Sequence, residues 1–113
     1  MDDSRGGQLL ADARQSLELG FYVDNLNHLA NLFRQMVLAT RWPSSCFILH
    51  EVAVAIAHDW DRRPMTSPEV MAVESQLRPR LEALLDGMSE GRTAPELQIL
   101  SDQLVLSMPK VGK

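Results

Sequence analysis

Apolar residues recur at steps of three and four along most of this 113-residue chain. Such steps place side chains on one face of an α-helix, whereas strict alternation is typical of a half-buried strand. Only Val52, Val54 and Ile56 look locally strand-like. Because 113 residues are enough to close one hydrophobic core, we predict a single all-α domain over residues 1–113. We expect a compact bundle of about five helices, with flexible ends at 1–6 and 109–113.

Capping residues and helix breakers give the expected bounds of the first three helices. The first helix should run from about Gly7 to Leu19 and end at Gly20. Asp24 or Asn25 should cap the second helix, which runs to about Thr40, and Ser44 or Ser45 should cap a third helix that ends near Trp60.

Two later helix starts share one pattern. Thr66-Ser67-Pro68-Glu69 and Thr93-Ala94-Pro95-Glu96 each place Thr at the N-cap, Pro in the first turn and Glu at the third helical position. This spacing is typical of a capping box, so both helix starts are well defined. Within the fourth helix, Pro79 predicts a kink or a break, and Gly87 can end the helix.

The third segment is apolar around nearly its whole circumference, which predicts a helix in the middle of the bundle. Its longest apolar run, Cys46 to Ala57, is shorter than the roughly 20 residues that span a bilayer. We therefore expect a core helix and no membrane association. Cys46 is the one cysteine, so a disulfide within the chain is excluded and a buried thiol is the preferred interpretation.

Charge and the N-terminal segment narrow the class of partner. The formal net charge is −4, and the only basic cluster, formed by Arg62, Arg63, Arg78 and Arg80, lies beside acidic residues. Because phosphate-backbone binding needs clustered positive charge, we expect no nucleic-acid partner. The segment from Met1 to Gly7 is polar and does not read as a secretory signal, so we expect a cytoplasmic protein.

Three histidines are the candidates for chemistry, and two of them have an adjacent carboxylate: His28, His50-Glu51 and His58-Asp59. Within the third helix, Glu51 and His58 share a face but lie about 10 Å apart along the axis. This exceeds what one metal ion can bridge, because metal–ligand bonds are about 2.0 to 2.2 Å. Any metal site would therefore combine residues from several helices; otherwise the same side chains form the polar stripe of a mostly buried helix.

One such combination resembles a known family. The order His28, then His58-Asp59, then Asp86 or Asp102 resembles that of the HD-type metal-dependent phosphohydrolases. The resemblance covers these residues alone, and Trp60-Asp61-Arg62-Arg63 departs from the family's usual pattern. It implies a metal-dependent hydrolase, or a metal-binding protein, with His28, His58 and Asp59 as ligands.

Two segments have the composition of a protein-binding surface. The predicted polar face of the second helix comprises Asn25, Asn27, His28, Asn31, Arg34 and Gln35. Its amides occupy positions where Glu and Lys would form helix more readily. The connection after the third helix combines an aromatic side chain, two guanidinium groups and a thioether, the side chains enriched at interfaces: Trp60, Arg62, Arg63 and Met65.

No motif in the sequence requires a reaction or a cofactor, so a non-enzymatic role is favoured. We predict a small helical interaction, regulatory or accessory protein that binds another protein, including itself as a homodimer. One alternative is the metal-dependent protein described above. The other is a helical regulator with a small-molecule pocket between the second, third and fourth helices.

Overall fold

A computed structural model describes residues 3–108, and this part of the chain folds into five α-helices without a strand. The helices are α1 (Asp3–Glu18), α2 (Val23–Ala39), α3 (Pro43–Arg62), α4 (Ser67–Ser89) and α5 (Ala94–Leu106). The predicted compact all-α bundle is confirmed. No helix among these residues is both long enough and apolar enough to cross a membrane.

The five helices form a closed ring around one core. α2 packs between α1 and α3, α5 packs between α3 and α4, and α4 returns to α1. The largest fully buried side chains come from α2 to α5, and they include Phe33, Met36, Leu49, Leu84 and Leu104. Because α3 lies in this ring between α2 and α5, one stripe of its surface faces outward.

α1 begins earlier than the sequence indicated. It starts at Asp3 instead of about Gly7, so residues 3–6 belong to a helix. Gly6 is buried against the end of α2, where an added Cβ would lie only 2.4 Å from the carbonyl oxygen of Ala39. Residues 1, 2 and 109–113, which carry the rest of the predicted flexible ends, lie outside the described residues.

Asn25 does not cap α2, contrary to expectation. The helix begins at Val23, and its N-cap residue Tyr22 makes no side-chain capping hydrogen bond. Asn25 is buried in the first turn of the helix, where its amide donates to the carbonyl oxygens of Ser16 and Gly20 at 2.9 and 2.7 Å. Its own oxygen accepts from the Ser16 hydroxyl at 2.7 Å, so this side chain joins α1 to α2.

The predicted cap of α3 is also wrong. Pro43 occupies the first turn and Trp42 is the N-cap residue, without a side-chain hydrogen bond. Ser45 is instead buried, and its hydroxyl accepts from the hydroxyl of Ser101 on α5 at 3.2 Å. Ser45, which the sequence predicted as a local helix cap, thus makes a contact between two helices that are distant in the sequence.

Both capping boxes are confirmed. Thr66 and Thr93 each accept a hydrogen bond from the backbone N–H of the glutamate three residues later, and that glutamate accepts from the backbone N–H of the threonine. The helix that starts at Thr66 runs without a break past Pro79 to Ser89, so the proline does not split it.

α4 ends two residues beyond Gly87, and Gly91 adopts the left-handed conformation that terminates the helix. Gly91 has a φ of 73°, while the N–H groups of Arg92 and Gly91 donate to the carbonyls of Gly87 and Met88. This pairing is a Schellman motif, which requires a left-handed residue. Gly87 itself allows close packing, because an added Cβ would lie 3.0 Å from Leu97 and 3.1 Å from Leu100 on α5.

Candidate functional site

The outer side of the α2–α3 hairpin combines exposed apolar side chains with exposed amides. The two helices are joined by residues 40–42 and run antiparallel, since Thr40 contacts Cys46 near the turn and Ala30 contacts His50 further along. We call this surface the hairpin face. It comprises exposed residues of both helices: Asn27, Asn31, Phe47, Glu51, Val54 and His58.

The α2 half of the hairpin face is set by helical periodicity. α2 buries Leu26, Leu29, Ala30 and Phe33, so Asn27 and Asn31 point outward. The amides Asn27 and Asn31 of the predicted polar face are therefore exposed, whereas Asn25 is buried in the core. Gln35 lies at the edge of this face, half-buried, and accepts a hydrogen bond from the guanidinium of Arg5 on α1 at 3.2 Å.

The α3 half carries large apolar side chains in solvent. Phe47 is 54% exposed and Val54 is 39% exposed, and Glu51 and His58 between and beyond them are exposed too. The apolar circumference of this segment predicted burial for Phe47 and Val54, and this prediction is wrong. The spacing could have revealed them, because residues 47, 51, 54 and 58 follow steps of four, three and four that share one helix face.

His50 joins the two halves. Its Nδ1 lies 2.9 Å from the carbonyl oxygen of Ala30, and because a carbonyl can only accept, Nδ1–H is the donor. Its Nε2 lies 3.8 Å from Oε2 of Glu51, and the two groups form an ion pair only when the ring is protonated. The Phe47 and His50 rings lie 6.5 Å apart. The Glu51 side chain is exposed, so its carboxylate lies at the surface next to His50, beyond hydrogen-bond distance from Nε2.

The second predicted contact region, after α3, is divided between core and surface. Trp60 is 8% exposed and packs near Phe21 with ring centroids 6.5 Å apart, so it is a core residue. Met65 is half-buried against the same core, and Arg62 is exposed. Of this group, Arg62 and Arg63 present most of their side chains to solvent, and Arg62 continues the exposed stripe of α3.

Arg63 is committed to Asp59. Its Nε and Nη2 donate to the two carboxylate oxygens of Asp59 at 3.1 and 2.7 Å, and Nη1 lies 3.7 Å from Glu69 at the start of α4. These hydrogen bonds hold the pKa of the buried Asp59 carboxyl below its usual value, against the opposing effect of burial. The pair anchors the end of α3 to the beginning of α4.

The candidate metal ligands do not assemble into a site within residues 3–108. No group of three or more His, Cys, Asp or Glu side chains in this part of the chain could hold a metal ion. His28 and His58 are exposed on α2 and α3, while both oxygens of Asp59 bind Arg63.

Cys46 is not poised as a nucleophile. Burial raises the pKa of its thiol, which disfavours the thiolate that a nucleophile requires.

A surface cavity lies away from the hairpin face. It has a volume of about 330 Å³ and is lined by residues of the α1 N-terminus, the α2–α3 connection and the end of α4, including Gly6, Trp42 and Gly91. The pocket expected for a small-molecule regulator was placed between the second, third and fourth helices, so this cavity has a different location.

Comparisons with protein-family models, curated proteins and solved structures gave no match to this chain. Its candidate function is therefore inferred from the geometry of its own surface.

Proposed function

We propose that this protein is a small helical interaction protein that acts by binding another protein through the hairpin face. The observation that carries the proposal is the exposure of Phe47 and Val54 on one stripe of α3, next to α2, whose outer face carries Asn27, Asn31 and the charged Arg34. Large apolar side chains in solvent gain free energy when a partner covers them, at about 25 cal/mol per Å² of apolar area.

The amides of α2 suit the rim of such an interface. Asn27 and Asn31 can donate and accept hydrogen bonds, and unlike Lys or Glu they require no desolvation of a full charge when a partner covers them. Interfaces combine an apolar centre with a hydrogen-bonding rim, which is the arrangement of the hairpin face.

Photo-crosslinking in cells that express the protein tests this proposal. With Val54→p-benzoylphenylalanine, irradiation should join the chain covalently to a protein partner in good yield. Gln76 is the matched control, because it is exposed on α4, across the ring from the hairpin. Crosslinks from position 54 alone would support the proposal; equal yields at both positions, or none at position 54, would contradict it.

A further inference from the structure

We propose that a second copy of this chain occupies the hairpin face, with the two α3 helices antiparallel about a two-fold axis between Val54 and Ala55. This inference rests on the proposed function and names the partner. It follows from the order of chemical groups along the exposed stripe of α3, which is complementary to itself when reversed.

The exposed stripe is a continuous strip of one helix face. Phe47, Glu51, Val54, His58 and Arg62 are all exposed, and at 100° per residue they fall within an arc of about 80°. Their spacing of four, three, four and four matches the seam along which two helices pack at a shallow crossing angle. The strip can therefore meet another helix along its whole length.

Reversal of the stripe pairs unlike groups. With a two-fold axis between Val54 and Ala55, two residues face each other across the contact when their residue numbers add up to about 109. Glu51 then faces His58 of the second copy, and Phe47 faces Arg62 of the second copy. The first pair joins a carboxylate to an imidazole N–H, and the second allows a cation–π contact.

The parallel arrangement lacks this complementarity. It would place Glu51 against Glu51 and His58 against His58 of the second copy, so like groups would meet at the centre of the contact. Charge thus selects the antiparallel orientation. At the axis, Val54 of one copy faces the half-buried Ala55 of the other. Because alanine is small, the two α3 helices can approach each other closely there.

The chain also leaves these groups available. Asp59, the neighbour of His58, is bound to Arg63, and the exposed Glu51 carboxylate lies 3.8 Å from Nε2 of His50, beyond hydrogen-bond distance. Glu51 and His58 of the same chain are seven residues apart, about 10 Å along the helix, so they cannot pair with each other. Any energetic coupling between them therefore has to act between copies.

The contact involves mainly one helix from each copy, so it belongs to the small class of interfaces. We expect a reversible dimer with a dissociation constant on the order of 10–100 μM. Sedimentation equilibrium of the full chain over a range of concentrations measures it.

A charge swap tests the register. Glu51→Lys places Lys opposite His58, and His58→Glu places Glu opposite Glu51, so each should raise the dissociation constant about tenfold or more. The double variant Glu51→Lys with His58→Glu restores an opposite pair at both positions and should return the constant to within about threefold of the wild-type value. Both sites are exposed, and unchanged thermal unfolding of dilute samples confirms that the variants fold.

Two results would overturn self-pairing. One is a wild-type chain that stays monomeric up to about 1 mM, well above the expected constant. The other is a double variant that is weakened as much as the sum of its single changes. Either result leaves the hairpin face open to a different protein, which crosslinking from position 54 reports separately.

Discussion

At the scale of single residues, polar side chains that look like local caps instead make contacts between helices. Asn25 and Ser45 have the chemistry of N-caps, yet one binds the end of α1 and the other meets Ser101 of α5. Their burial depends on which helices become neighbours, and no local pattern specifies that. Thr66 and Thr93 could be predicted, because a capping box needs only residues within one turn.

Asn25 should be the most costly asparagine in the chain to replace. Asn25→Ala leaves the Ser16 and Gly20 carbonyls without this donor in a buried turn, which costs about 1–3 kcal/mol of stability. Asn27→Ala, on the exposed side of the same helix, should change stability by less than about 0.5 kcal/mol. Urea unfolding measures both, and similar losses would contradict the role given to Asn25.

The Asp59–Arg63 pair should make stability depend on pH. The pKa of Asp59 is lowered in the folded chain, mainly by hydrogen bonds from Arg63. Its contribution is therefore fully present above the unfolded pKa of about 3.9 and is lost as pH falls through the lower folded pKa. Arg63→Gln should destabilise the protein at about pH 7, and the gap from wild type should shrink by about pH 3.

The neighbouring arginine supplies the control for this pair. Arg62→Gln removes the same charge without removing a hydrogen bond to Asp59, so its effect on stability should be small at both values of pH. Urea midpoints at the two values of pH give the comparison. A gap for Arg63→Gln that is constant with pH would show that Asp59 is not held by Arg63.

At the scale of elements, glycines set how closely the helices approach. Gly6 meets the end of α2 and Gly87 meets α5, whereas Gly7 has open space around its Cβ position. The sequence alone gave no reason to distinguish Gly6 from Gly7, because the difference arises from the position of Ala39 in the fold.

Alanine substitutions at the two adjacent glycines should act in opposite directions. Gly7→Ala should stabilise α1 by up to about 0.8 kcal/mol through helix propensity. Gly6→Ala forces a Cβ against the Ala39 carbonyl and should destabilise the chain by about 1–3 kcal/mol despite the same gain. Thermal unfolding of the two variants checks this, and a stabilising Gly6→Ala would mean that α1 does not pack there.

At the scale of the whole molecule, the ring of helices decides which side of α3 meets solvent. The apolar composition of α3 suggested burial on all sides, but its neighbours α2 and α5 leave one stripe uncovered. The fold class could be predicted from periodicity alone. The hairpin face could be predicted only for its α2 half, because the outward side of α3 depends on the order of the helices around the core.

The most direct test of this account is to compare amide NMR spectra of the protein on serial dilution. Self-pairing through α3 predicts concentration-dependent shifts at residues 47–62 and smaller ones at the neighbouring Asn27 and Asn31, while α4 stays constant. Spectra that do not change with concentration, or shifts centred on α4, would contradict the assignment of the hairpin face as the binding surface of this protein for a second copy of itself.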